Sequence, residues 1–203
     1  MIELIKNEYN TYLGDLIHYY KLVTEKMPNA YAPYHNVGHV LHVFSETYDG
    51  CIKMNISKRE MRNLLISALM HDYGHMSKKG DDSLNISTAI AYLREYVLDI
   101  DRPHLTYIED VIRSTKYPYS DELFSESQLI VRDADKSHTF SSEWIQIIIY
   151  GLGKELDLSG NKMIEIQKLF MENLEFQTEW GKNKFNKLIQ PRIVEIGEMI
   201  DVI

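Results

Sequence analysis

His71 and Asp72 stand side by side at the end of an apolar segment, Asn63-Leu64-Leu65-Ile66-Ser67-Ala68-Leu69-Met70. A carboxylate beside an imidazole at the edge of a buried helix is costly unless something pairs with it. A divalent cation is one such partner, and the chain offers further ligands. His39 lies upstream in Tyr34-His35-Asn36-Val37-Gly38-His39, and Asp135 lies downstream in Val131-Arg132-Asp133-Ala134-Asp135. Two His and two Asp form a mixed donor set. First-row divalent ions accept imidazole and carboxylate together, whereas Mg²⁺ favours oxygen-rich shells. The set therefore admits one or two ions among Mn²⁺, Zn²⁺, Fe²⁺, Ni²⁺ and Mg²⁺.

The elements that must position these groups read as helices. Leu13, Leu16, Ile17, Tyr20 and Val23 recur on one face of a first helix, stopped by Pro28 and Pro33. Asn36 is a good N-cap for a second helix carrying His39, Val40, Val43 and Phe44. Ser57-Lys58-Arg59-Glu60 is a capping box, so a third helix starts at Ser57 and runs into His71. Gly74 and Lys78-Lys79-Gly80-Asp81-Asp82 make a loop. The next helix runs from Ser83 to about Asp99, with Ile86, Ala89, Ile90, Leu93 and Val97 as its inner stripe. Asp101-Arg102-Pro103 opens another, with proline tolerated in the first turn. Short helical pieces follow around Asp121 to Ala134, and Ser142 caps a helix holding Ile145, Ile147, Ile148 and Ile149. Two final helices start near Asn161 and Asn183. No alternating strand, internal repeat or linker interrupts this order, so a single all-α domain over residues 1–203 is expected.

In this order the pattern His39, His71-Asp72, Asp135 resembles the HD-domain superfamily of metal-dependent phosphohydrolases. Tyr34-His35-Asn36-Val37-Gly38-His39 is similar to the Tyr-His-Asn-x-x-His signature of cyclic-nucleotide phosphodiesterases. Ala134-Asp135 is similar to the Ala-Asp that supplies the last ligand there and in small bacterial HD hydrolases. Asn85-Ile86-Ser87 and Ile112-Arg113-Ser114-Thr115-Lys116 also look like segments of the small bacterial proteins, and the likeness covers residues 34–140. It implies a compact helical HD bundle in which three helices converge on His39, His71, Asp72 and Asp135, with Asp72 bridging to a second metal otherwise held by water. It implies that His35 protonates the leaving oxygen, a task that suits the pKa of imidazole. His35 precedes His39 by four residues, so both share a face if one helix includes them.

Around this set the resemblance places His75, Asn85 and Lys136. His75 is either a contact of the metal-bound water or a solvated loop histidine, and Lys136 either contacts a phosphate or is solvated. Asp133 competes with Asp135 for the last ligand position. The Ala-Asp match favours Asp135, leaving Asp133 to bond nearby backbone or Arg132. His18, His42, His104 and His138 match nothing in the pattern and are expected to be packed or exposed.

The implied activity is hydrolysis of a phosphoester in a small nucleotide-like substrate, above all a phosphodiester, cyclic ones included. A nucleotidase-type phosphomonoesterase is the near alternative. The glutamine and phenylalanine that clamp the base in the phosphodiesterases have only loose counterparts in Gln190 and Phe176-Gln177. A di-iron oxygenase needs additional histidines before the last aspartate, where only His75 and His104 occur and the relevant helix reads Ser114-Thr115. A non-catalytic nucleotide-binding domain on the same fold is a third class.

Bulk properties narrow the partners. With 203 residues, 44% apolar and 26% charged, the chain can bury a substantial core. A net charge of -8 argues against coating a nucleic-acid polymer, but metal ions can still draw a small anion into an acidic protein. Cys51 is the only cysteine, excluding an intrachain disulfide and suiting a reducing compartment. The acids within Met1-Ile2-Glu3-Leu4-Ile5-Lys6-Asn7-Glu8 are unlike a secretory signal, and no apolar run approaches the length of a membrane span. A cytoplasmic location, without membrane association, is the expectation.

Overall fold

The computed structural model describes residues 16–76, 82–119 and 124–201. Leu13, the loop residues 78–81, Asp121 and the first eight residues lie outside that set. Within it the chain is all-α, and no strand occurs among the described residues.

Helix α1 (Leu16–Lys21) continues as a π-helical turn, Leu22–Lys26, and ends before Pro28. Helix α2 (Val37–Lys53) starts where the sequence predicts. Asn36 accepts the N–H groups of Gly38 (2.8 Å) and His39 (3.2 Å), satisfying two otherwise orphaned donors. Helix α3 (Lys58–Met70) is capped by Ser57, which accepts from Glu60 N. Only half of the predicted capping box forms, because the Glu60 carboxylate instead accepts from Tyr107 Oη and Ser127 Oγ.

Helix α3 is the axis of the molecule. Ten consecutive residues, Met61 through Met70, are buried, and α1, α2, α4 (Ser83–Tyr96), α5 (Leu105–Ser114) and α6 (Leu129–Lys136) pack around it. One of the ten is Arg62. Its guanidinium forks onto Asp101, with Nε to Oδ1 and Nη2 to Oδ2 both at 2.7 Å, and Tyr19 Oη donates to Oδ2 at 2.9 Å. The sequence predicts that Asp101 opens a helix. It makes no side-chain cap, because its carboxylate is engaged by this ion pair, and a 3₁₀ turn, Arg102–His104, leads into α5 instead.

A second layer covers one end of the bundle. Ile145–Leu152 is a π-helix closing in one α turn, α7 (Gly153–Glu155), followed by α8 (Gly160–Glu172) and α9 (Glu179–Asp201). Ser142 does not cap the first of these, which begins after Trp144 without a side-chain cap. Ser159 caps α8, and α9 starts four residues before Asn183 and carries Pro191 within it. No helix among the described residues is long and apolar enough to cross a membrane.

The Arg62–Asp101 pair makes the bundle sensitive to one substitution. Breaking a buried pair by removing one partner costs about 3–5 kcal/mol, since the remaining charge loses its compensation. Asp101→Ala is expected to lose stability of that order in urea denaturation, and a loss below about 1 kcal/mol, the contribution of a surface pair, would contradict this role.

Candidate metal centre

Helices α2, α3 and α6 bring the four sequence-predicted ligands together. His39 Nε2 lies 3.2 Å from Asp72 Oδ2 and 3.0 Å from Asp135 Oδ1. His71 Nε2 lies 3.1 Å from Asp72 Oδ2 and 3.8 Å from Asp135 Oδ1. These contacts are short but lack hydrogen-bond geometry, so both Nε2 atoms and Asp72 Oδ2 are buried without a directional partner. Buried polar atoms are almost always satisfied, and such orphans at one point call for an ion or a water. The donor atoms of His39, His71 and Asp72 all lie within 4.8 Å of one another, and two imidazoles with carboxylates suit a first-row divalent cation.

His71 is prepared for that use by its backbone. Its Nδ1 is 2.8 Å from the Ala68 carbonyl, which can only accept, so in the neutral ring the proton sits on Nδ1 and the Nε2 lone pair is free for a cation. The same neighbours set the charge balance. Burial alone would lower both imidazoles, but Asp72 and Asp135 outweigh it and raise them, His71 well above its ordinary value. Burial alone would raise the Asp72 carboxyl, yet His71, His35 and His39 hold it well below the usual range. The carboxylates thus favour positive charge at this point, and a proton and a cation would compete for the same nitrogens.

Asp133 and Asp135 separate cleanly. Asp133 is fully buried and faces away, accepting from Gln177 N, Thr178 N (2.8 Å) and Thr178 Oγ1 (2.8 Å) just before α9. Among the described residues the cation it pairs with is Lys136, at 2.8 Å, while Arg132 Nε donates to the Ser114 carbonyl. Lys136 is correspondingly buried and also donates to the Glu175 carbonyl (2.6 Å), so it is neither solvated nor presented freely to a phosphate.

His35 stands outside the helix. It precedes the Asn36 cap, so it does not share a helical face with His39, and a different residue orients it. Glu155 accepts from the N–H groups of Tyr34 (2.6 Å) and His35 (2.9 Å) through Oε1, and lies 2.7 Å from His35 Nδ1 through Oε2. Burial pushes the Glu155 carboxyl up, but the hydrogen bond and charge of His35 and the two backbone donors bring it down to about 2. Asn29 ties the same loop to the ligand turn. Its amide donates to the carbonyls of His35 (2.5 Å) and Asp72 (3.0 Å) and accepts from Gly74 N (2.8 Å).

His75 stacks on His35, with ring centroids 3.7 Å apart and planes at 19°. Asn85 accepts from Met76 N through Oδ1, which directs its Nδ2 to His75 Nε2 at 2.9 Å. His35, Asp72 and His75 also bring donor atoms within 4.8 Å of one another. Face-stacked imidazoles, however, aim their in-plane lone pairs alongside each other, and His75 Nε2 is already engaged. This second group is better suited to holding His35 than to enclosing an ion.

Two histidines that matched nothing in the sequence join the cluster. His138 Nδ1 is 3.1 Å from His39 Nδ1, and His42 stacks on His138 at 4.2 Å and 12°. Burial, with the charge of nearby His39, lowers His42 to about 4 and His138 to about 3. His18 bonds the Tyr96 carbonyl, as a packed residue should.

The cluster opens into a cavity of about 760 Å³, within the range of nucleotide-sized ligand sites. His35, Asp72, His75 and Asp135 line its polar side, and Ile148, Leu152, Leu156, Met163 and Phe170 its apolar side. Gln167 and Phe170, three residues apart on α8, stand in this wall. Gln177 lines it too, but Gln190 is exposed on α9 and Phe176 is stacked on Phe185. No protein-family model matches the chain, and no curated protein or solved structure is similar to it.

Asp135→Asn is expected to lose cation affinity while keeping the fold, and Asp133→Asn to lose thermal stability while keeping cation affinity. Calorimetric titration beside melting curves checks this, and exchanged phenotypes would move the ligand to Asp133. For Glu155 the folded pKa lies below the unfolded one, so its stabilisation is present above about pH 4.5 and is lost as pH falls toward 2. The stability gap between the protein and Glu155→Gln should therefore be largest near neutrality and close across that window. A gap independent of pH would remove the ionised carboxylate from the argument.

Proposed function

We propose that the protein is an HD-type, metal-dependent phosphohydrolase acting on a small nucleotide-like phosphoester, above all a phosphodiester. The observation that carries this reading is the convergence of His39 Nε2, His71 Nε2, Asp72 Oδ2 and Asp135 Oδ1 beside a cavity of nucleotide size, which Asp72 and Asp135 line. These four residues would hold the cation, and Asp72, nearest to both His71 and the His35 side, would face a second one. When bound, divalent cations neutralise phosphoryl oxygens and make water a nucleophile at neutral pH.

The chain's own residues supply the rest. Water oxygen adds to phosphorus, the ester P–O bond breaks, and the departing oxygen must gain a proton. Glu155 takes the hydrogen bond from His35 Nδ1, so the proton that His35 can hand on is the one at Nε2. Asn85 holds His75, and the His75 ring in turn supports the face of His35. A planar base would lie against Phe170, and Gln167 would read its edge. The Gln167 amide donates to Thr139 Oγ1 (2.5 Å), whose own proton points to Met171 sulfur, so the amide has a fixed orientation. The apolar residues from the π-helix and α8 give this end of the cavity a hydrophobic lining.

The reading is tested by incubating the metal-loaded protein with a panel of nucleoside monophosphates, cyclic nucleotides and linear phosphodiesters and measuring phosphate or monophosphate release. Turnover of some member is expected, abolished in Asp72→Ala, and turnover surviving in that variant would reject the site. His35→Ala should bind metal normally but lose roughly 10²–10⁴-fold in turnover, the usual contribution of a general acid. That loss should shrink on a nitrophenyl phosphoester, whose leaving group needs little protonation. Equal losses on both substrates would make His35 a positioning residue rather than the acid.

A further inference from the structure

We infer that His138 is a positioning residue for the metal centre: its Nδ1 accepts the Nδ1–H of His39 and thereby leaves His39 Nε2 bare for a cation. The inference rests on the metal-site reading above and goes beyond it, since His138 touches neither the proposed ion nor the cavity's polar wall.

The two ligand histidines face the same requirement. An imidazole that gives its Nε2 lone pair to a metal must keep its proton on Nδ1, and that proton needs an acceptor. For His71 the acceptor is the Ala68 carbonyl, a backbone group that no substitution removes. For His39 the group that meets Nδ1 is His138 Nδ1, at 3.1 Å. Two ring nitrogens that close share one proton. If His138 supplied it, a neutral His39 would carry its own proton on Nε2, aimed at the point between Asp72 and Asp135 where the ion belongs. Cation binding therefore selects the arrangement in which His138 accepts.

His138 is held for this task. Ser137 Oγ donates its proton to the Ala134 carbonyl (2.6 Å), so it must accept from His42 Nε2 at 2.9 Å. That bond fixes the His42 ring, and His42 stacks almost parallel on His138. Tyr34 lies over His39 at 4.7 Å and near His138 at 5.9 Å. The aromatic rings thus restrict rotation of both members of the N–H···N pair. Ala134, Ser137 and His138 all lie close to Asp135 at the end of α6, so one short segment delivers both a ligand and the acceptor for another.

Zn²⁺, which is diamagnetic, serves both arms of the test. By calorimetry, His138→Leu is expected to weaken Zn²⁺ binding by about 10–100-fold, the usual loss when a ligand histidine is deprived of its partner. His138→Asn, whose Oδ1 can stand near the lost nitrogen, should stay close to the unsubstituted protein. Equal weakening in both folded variants, or none in His138→Leu, would overturn the inference. The second arm needs no substitution. In ¹⁵N-histidine-labelled, Zn²⁺-loaded protein, a nitrogen–nitrogen coupling across the bond is expected, with the proton assigned to His39 Nδ1. A proton on His138 Nδ1 would overturn the inference while leaving the metal site standing. Failure of the unsubstituted protein to bind Zn²⁺, with His71→Ala as the control, would instead reject the metal reading on which both rest.

Discussion

Two partly shielded carboxylates, Asp72 and Asp135, face the same two imidazole nitrogens, and the rest of the structure is arranged around that concentration of charge. A buried charge left without its partner costs several kcal/mol, so this arrangement exists only because positive charge can occupy the gap. The two carboxylates raise the proton affinity of His39 and His71, and a divalent cation would supply the same positive charge in place of a proton. Helix α3 makes the problem unavoidable. With ten successive residues buried, its C-terminal end emerges at the interior edge of the bundle, where His71 is buried and Asp72 reaches solvent only through the cavity. The same helix carries Arg62 in its middle, where Asp101 meets it with two hydrogen bonds.

The features legible in the sequence are those with a local signature. Asn36 and Ser57 announce helix starts because a capping side chain acts within three residues, and α3 announces itself by its apolar run. The four ligands are legible as an ordered pattern. Their partners are not. Glu155 meets His35 across 120 residues of chain, and neither residue type nor spacing distinguishes it from the other acids. His138 looks like a spare histidine in the sequence because its role is defined only by the ring it faces. Helix α9 begins earlier than the Asn183 signal suggests, because the N–H groups preceding it are satisfied by Asp133 from another helix. The segment holding Ile145 to Ile149 reads as helix, but an almost continuous apolar run carries no period that separates α from π winding.

That π-helix is part of how the site is assembled. Such turns are rare and cluster at functional positions, where the wider winding shifts the register of the residues beyond them. Here it ends three residues before Glu155, which must reach the Tyr34-His35 backbone. Gly151 permits the approach: a Cβ there would sit 2.8 Å from the Pro33 carbonyl oxygen, two residues from His35. A side chain at this position would push the segment outward and lengthen the Glu155–His35 contact. Steric allowance at one glycine and proton placement at one histidine are thus consecutive links of one chain of causes.

The site has two halves with different supports. The ligand half is carried on three packed helices, while His35 sits on a loop held by Glu155, His75 and Asn29. In the proposed role of general acid, His35 needs a fixed distance from the reacting group, and a loop alone does not fix it. Asn29 provides the link, since its single amide contacts the carbonyls of both His35 and Asp72 and the N–H of Gly74. Gly74 itself has φ of +82°, and a Cβ on it would collide with the Tyr92 ring, so the turn after Asp72 requires glycine. The tight turn brings Gly74 N back within reach of Asn29, and the amide then ties the His35 loop to the turn after Asp72. Movement of either half must carry the other with it.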